Sequence, residues 1–191
     1  MPDLLEQFGP IDIYLFDQLL RGRIRPGMRI LDAGCGEGRN LVYFLREGYE
    51  VCGADADPGA LSHLPAGDFR AEAIEGMTFP EASFDVVILS AVLHFARDDA
   101  QFQAMLRSAW ARLKPRGMLF CRLASSIGIE NRVRQIDGRR CLLPDGSTRY
   151  LVDEKMLIDL TRELGGRLAD PLKTTVVQDQ RSMTTWVVTK I

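Results

Sequence analysis

Asp32 stands two residues before the first of three alternating glycines, Gly34, Gly36 and Gly38, and Asp55 closes the next apolar run. An apolar stretch (Met28, Ile30, Leu31) leads into the glycines, and a helical pattern (Leu41, Phe44, Leu45) follows them. A strand therefore turns sharply into a helix, and residues without side chains let the backbone come close to a ligand. A dinucleotide-binding turn reads G-x-G-x-x-G. Here the third glycine comes one place early, and Arg39 stands where it should be. A carboxylate at Asp32 would repel a pyrophosphate and attract a cation. A carboxylate at Asp55 can accept two hydrogen bonds from a ribose diol.

S-adenosylmethionine is a nucleoside with a sulfonium and an ammonium and no phosphate, so it suits both departures. Methyl transfer from a sulfonium needs mainly position and a dry site. An amine or hydroxyl acceptor usually needs a base, whereas a thiol is easily ionised near neutral pH. Bases are scarce, since His63 and His94 are the two histidines. His94 follows an apolar strand and is either a base or substrate contact, or a packing and capping residue; His63 reads as surface. Tyr14 either binds ligand or packs in a core. Arg122 either binds an anionic substrate or forms a structural ion pair. Arg132, Arg134, Arg139 and Arg140 lie in a polar stretch that either holds a carboxylate or phosphate or is a solvated loop.

The elements that must position these residues alternate. Residues 11–20 are apolar at helical spacing, and Gly22 ends the run. Strands are expected at 49–54, 69–74, 84–90 and 118–123, with Lys114-Pro115-Arg116-Gly117 as a turn before the last. Helices are expected after the caps Asp57 (with Pro58), Asp98 and Asp153. Phe84–Ser90 is a continuous apolar run, as in a parallel strand buried on both faces. Residues 125–151 break the alternation, with a turn at Pro144-Asp145-Gly146. Residues 172–178 and 183–189 should form an antiparallel hairpin, with Met183 and Trp186 packing at the sheet edge.

The chain has 191 residues, 46% hydrophobic, with a formal net charge of −2. That is enough for one domain with a sizeable core. It supplies no basic field for nucleic acid and no apolar run of membrane-spanning length. The first residues carry acids rather than a basic start, so no secretory signal is expected. The cysteines, Cys35, Cys52, Cys121 and Cys141, are widely spaced and lack a C-x-x-C pair. Reduced thiols, no metal centre and a cytoplasmic location are expected.

Leu31-Asp32-Ala33-Gly34-Cys35-Gly36-Glu37-Gly38, Asp55, the segment Phe79-Pro80-Glu81-Ala82-Ser83-Phe84-Asp85 and the turn Leu113-Lys114-Pro115-Arg116-Gly117 together resemble the class I S-adenosylmethionine-dependent methyltransferases. The resemblance implies an α/β, Rossmann-like, seven-stranded and mostly parallel sheet of order 3-2-1-4-5-7-6. Its last strand would be antiparallel and its faces covered by helices. It implies one domain over 1–191, with a helical lid at 1–24 and a substrate-side insertion at 125–151. It places the cofactor S-adenosyl-L-methionine against Asp32, Gly34, Cys35, Gly36, Arg39, Asn40, Asp55, Ala56, Ser90 and Ala91. Its adenine falls near Ala73, Ile74 and Glu75, where the family often has an Asp; Glu72, Glu75 or the backbone at Ile74 would serve instead. Substrate would meet Tyr14, His94 and Arg122, with His94 as the catalytic residue. Gly36-Glu37-Gly38-Arg39-Asn40-Leu41 is similar to tellurite-resistance and thiol methyltransferases, which act on soft nucleophiles. The expected partner is a small-molecule acceptor, with neither nucleic acid nor membrane, on a monomer or homodimer. Methylation of nucleic acid or protein is disfavoured, because Ser90-Ala91-Val92-Leu93 lacks the Pro-Pro-aromatic turn of base-amine methylating enzymes. A non-catalytic cofactor-binding module or sensor stays open. A nicotinamide-dependent oxidoreductase is disfavoured by the displaced glycine and Asp32.

Overall fold

The computed structural model describes residues 3–191; Met1 and Pro2, the first residues of the expected lid, lie outside the described residues. Two short helices open the chain, α1 (Leu4–Phe8) and α2 (Ile13–Leu20), capped by Asp3 and Asp12. The alternating part follows: β1 (Arg29–Ala33), α3 (Val42–Arg46), β2 (Glu50–Asp55), α4 (Pro58–Leu61), β3 (Asp68–Ala71), β4 (Phe84–Ser90), α5 (Asp99–Arg112) and β5 (Leu113–Ala124). Three short strands come next, β6 (Arg134–Asp137), β7 (Arg140–Leu142) and β8 (Thr148–Tyr150). The chain then runs through α6 (Glu154–Glu163), β9 (Gly166–Leu168), β10 (Lys173–Val177) and β11 (Arg181–Lys190).

The main sheet has the order β10-β11-β5-β4-β1-β2-β3, with β9 also paired to β11. β1 to β5 are parallel, and β11 runs antiparallel to β5. Counting its strands along the chain and leaving β9 aside, this is the expected 3-2-1-4-5-7-6. β9 and β10 share one edge of β11, so the edge strand is interrupted at residues 169–172.

Side chains alternate across a strand, and the two faces of the sheet carry separate cores. Leu31, Val87, Leu89, Leu119, Cys121 and Trp186 pack on one face with Phe102 and Leu106 of α5 and Leu157 of α6. Ile30, Val86, Ile88, Phe120 and Val187 pack on the other with Leu15 of α2 and Phe44 of α3. Large side chains buried to this degree stabilise by roughly 1.5–3 kcal/mol each. Trp186 is fully buried, and its Nε1 donates to Thr161 Oγ1 at 2.9 Å.

Two expectations are corrected. Lys114-Pro115-Arg116-Gly117 is not a turn ahead of the fifth strand. β5 already begins at Leu113 opposite Phe84, and Val86 faces Met118, so residues 114–117 bulge within the strand, with Arg116 at φ 65°. The third strand ends at Ala71, and residues 74–76 form a 3-10 turn instead. Residues 125–151, the expected insertion, carry the antiparallel sheet β6-β7-β8.

Candidate cofactor and acceptor site

β1 delivers its last residues to the carboxyl edge of the sheet, where the parallel strands end and the glycine turn starts. Gly34 adopts φ 86°, and a Cβ there would meet Val92 Cγ2 at 2.4 Å, so both conformation and space demand glycine. Gly38, at φ 77°, is similarly closed by Leu64 at 2.3 Å. Asp55 ties the turn together: Gly36 N–H donates to its Oδ2 at 2.8 Å, and Asp57 N–H donates to its Oδ1 at 2.9 Å. Each oxygen keeps a lone pair for a further donor.

A cavity of about 360 Å³ lies over this edge. It is lined by Gly34, Asp55, Ala56, Ala73, Ile74, Glu75 and Ala91, all of them expected cofactor contacts. Val92, Phe95, Gln101 and Met105 complete the wall. Sequence reasoning missed these four, although Gln101 and Met105 share a face of α5 at i,i+4 spacing, directly after the Asp98 cap. Gln101 Nε2 donates to Glu75 Oε1 at 2.9 Å. Glu72, an alternative for the adenine, does not line the cavity and accepts from Thr78 N–H at 2.8 Å.

Asp32 is 1% exposed, and neither of its carboxylate oxygens has a hydrogen-bond partner. Burial pushes its pKa up to about 7, against the pull of Arg39 and Asn40 and with help from Asp55. Asn40 is near enough to exert that pull but makes no well-directed hydrogen bond to the carboxylate; its own Oδ1 accepts from Asp12 N–H at 3.0 Å. A buried, unpartnered carboxylate beside a glycine turn is an unmet demand for a cation. Arg39 reaches across the crevice, its Nη2 donating to Ser90 Oγ at 3.1 Å. Cys35 is buried, and burial with the Asp32 charge pushes its thiol up to about 12, so it stays protonated at neutral pH.

The second cavity, about 290 Å³, shares Ala91 with the first. Ala91 sits at φ 63°, a left-handed conformation costing a non-glycine residue roughly 1–2 kcal/mol. Its N–H donates to Arg122 O at 2.7 Å. His94 and Arg122 line this cavity. The His94 ring is buried, and its Nδ1 accepts from Ala124 N–H at 3.2 Å. The ring proton of the neutral imidazole therefore sits on Nε2. Burial, then Arg149, lowers the His94 pKa to about 4. His94 is thus neutral, with its Nε2–H left to donate.

Arg122 Nη1 donates to Asp12 Oδ2 at 2.8 Å, and its guanidinium carbon lies 5.2 Å from the Tyr14 ring centroid. Arg122 thus anchors α2 while facing the cavity. Tyr14 lines neither cavity; its hydroxyl is hydrogen-bonded to Thr175 Oγ1 at 2.6 Å. Of the arginines in 132–140, Arg132 pairs with Asp179 and Arg139 with Asp153, and none of the four lines the second cavity. Arg149 and Arg181 line it instead. Met183, expected as packing, is half-buried against a small core beside β7 and also faces the cavity. Among the described residues no His, Cys, Asp and Glu group could hold a metal, and no helix is long and apolar enough to cross a membrane.

The sequence pattern of the family described as Methyltransferase domain matches residues 31–121, the span from the end of β1 into β5. Over that span the chain is similar to methyltransferases. An uncharacterized methyltransferase of Synechocystis is 35% identical over 99 residues, covering 50% of this chain and 46% of that protein. A ubiquinone biosynthesis O-methyltransferase of Bradyrhizobium is 29% identical over 154 residues, covering 69% of this chain and 59% of that protein. The chain thus spans about half the length of the curated relatives it matches. A solved S-adenosylmethionine-dependent methyltransferase from Methanosarcina mazei shares the fold, with a TM-score of 0.76, 18% identity, and coverage of 91% of this chain and 97% of that one.

Proposed function

We propose that this chain transfers a methyl group from S-adenosylmethionine to a small-molecule acceptor. The observation that carries the reading is the pairing of two cavities at Ala91. One is lined by Asp55 and by Gly34, the first glycine of the turn that follows the unpartnered Asp32; the other is lined by arginines and the His94 donor. When bound, the cofactor supplies an activated methyl on a cationic sulfur. Asp32 meets the positive methionine end, and Asp55 takes the ribose hydroxyls. Ala73, Ile74 and Glu75 flank the adenine. Val92 and Phe95 exclude water beside the reacting centre. His94 orients the acceptor through its Nε2–H, and α1 and α2 cover the site as a lid.

The acceptor cavity lacks a group that would take a proton near neutral pH, which suits acceptors that ionise unaided. A thiol or chalcogen acceptor, suggested by Gly36-Glu37-Gly38-Arg39-Asn40-Leu41, satisfies that condition. The O-methyltransferase among the relatives supports a small-molecule acceptor of another kind. Incubation with S-adenosylmethionine and a pooled acceptor library, read as S-adenosylhomocysteine formed, tests the activity. Binding of the cofactor without turnover on any pool would favour a cofactor-binding module or sensor instead.

A further inference from the structure

The polar wall of the acceptor cavity is cationic. Arg149 and Arg181 line it, and neither forms an ion pair among the described residues. Arg149 is preorganised: its Nη1 donates to Thr148 O at 2.8 Å, and its guanidinium lies over the Phe95 ring, 4.9 Å from the centroid. Arg122 stands beside them, fixed by Asp12, with its Nε buried and without a partner. The opposing acid in the wall is Asp145. It is occupied, with Oδ1 accepting from Ser147 N–H at 2.9 Å and Ser147 Oγ at 2.6 Å. Those hydrogen bonds, and then the charges of Arg149 and Arg181, hold Asp145 below the usual carboxylate range. It is therefore a poor proton acceptor. His94 presents a proton rather than a lone pair, since Ala124 N–H occupies Nδ1.

Resting on the methyl-transfer reading above, we infer that the acceptor is a small organic acid, gripped as its carboxylate by Arg149 and Arg181 and methylated on a carboxylate oxygen. Guanidinium groups match carboxylates in charge and planar geometry. A carboxylate is ionised unaided at neutral pH, which removes the need for the base that the wall lacks. The carboxylate oxygen forms a C–O bond to the methyl carbon as the C–S bond breaks, and the electron pair of that bond returns to sulfur. The negative charge of the acid and the positive charge of the sulfonium vanish together, leaving a methyl ester and a thioether. No proton needs a destination. A thiolate offers the guanidinium groups one charged atom, not the planar pair of oxygens that their fork geometry matches.

The test uses the full chain loaded with S-adenosylhomocysteine and matched probes: butyrate, phenylacetate and benzoate, each against its primary amide. Thermal shift and calorimetry should show at least one acid binding and its amide not. Arg149→Gln and Arg181→Gln should each weaken that acid by about tenfold or more, with S-adenosylhomocysteine binding retained. With S-adenosylmethionine, the bound acid should give its methyl ester by mass spectrometry. Equal binding of acids and amides would overturn the inference. So would binding of inorganic phosphate or a simple thiol but no acid, acid binding indifferent to both arginine variants, or methylation elsewhere on the probe. Failure of S-adenosylhomocysteine itself to bind would remove the proposed function, and this inference with it.

Discussion

On the proposed function, Asp32 should make binding of S-adenosylmethionine a proton-coupled event. In the free protein its carboxyl titrates at about 7 because burial disfavours the charge. An ammonium brought against it restores the ordinary preference for ionisation. Cofactor binding should therefore release about half a proton at pH 7, close to one near pH 5.5, and almost none above pH 8.5. Affinity should fall by about tenfold from pH 8 to pH 6, since the competent ionised form becomes the minor species. The sign for stability follows the same shift. The folded pKa is raised above the unfolded one, so the folded state is penalised increasingly as pH climbs from about 4 through about 7. Roughly three pKa units correspond to about 4 kcal/mol. Asp32→Asn should thus stabilise the unliganded protein at pH 8, raising its melting temperature by about 2–4 °C per kcal/mol, while weakening cofactor binding. Calorimetric titration of S-adenosylhomocysteine in buffers of different ionisation enthalpy reads the released proton directly. Affinity flat from pH 5.5 to 8, with no buffer dependence, would refute the reasoning. So would an Asp32→Asn protein less stable than the parent at pH 8.

Asp55→Ala should weaken S-adenosylhomocysteine by roughly 1–3 kcal/mol, since it removes both the proposed ribose contact and the tie to Gly36 and Asp57; unchanged affinity in calorimetry would move the ribose elsewhere. His94→Ala should lose turnover and keep cofactor binding, and the parent enzyme should show no rate limb from His94 between pH 5.5 and 8, because its pKa is about 4; full activity of the variant would reduce His94 to packing. Arg122→Leu should destabilise by roughly 3–5 kcal/mol in chemical denaturation, because it strands the fully buried Asp12 carboxylate. Recovery of most of that loss in the Asp12→Asn, Arg122→Leu double variant would show that the cost is the unpaired charge.

What the sequence disclosed follows the range of the interactions involved. Phe84–Ser90 was readable because a strand buried on both faces needs no partner to look apolar. The helix starts at Asp57, Asp98 and Asp153 were readable because a capping side chain bonds its own next residues. The glycine turn and its acids were readable because their chemistry is local. β6 to β8 were hidden: β6 is exposed throughout and carries no apolar alternation. The bulge at 114–117 depends on register against β4, which spacing along one strand does not encode. The acceptor wall was hidden for the same reason. Arg149 and Arg181 converge from β8 and β11, and the His94 tautomer is set by a backbone N–H of β5. The arginines at 132–140 are neighbours in sequence, whereas the two that line the cavity with Arg122, Arg149 and Arg181, are distant from each other along the chain.

The most direct trial of the whole account is a titration of the purified chain with S-adenosylmethionine, with NAD as the competing ligand. The account predicts saturable binding at one site per chain, displaced by S-adenosylhomocysteine and indifferent to NAD. Binding of NAD with none of the methyl donor would contradict it.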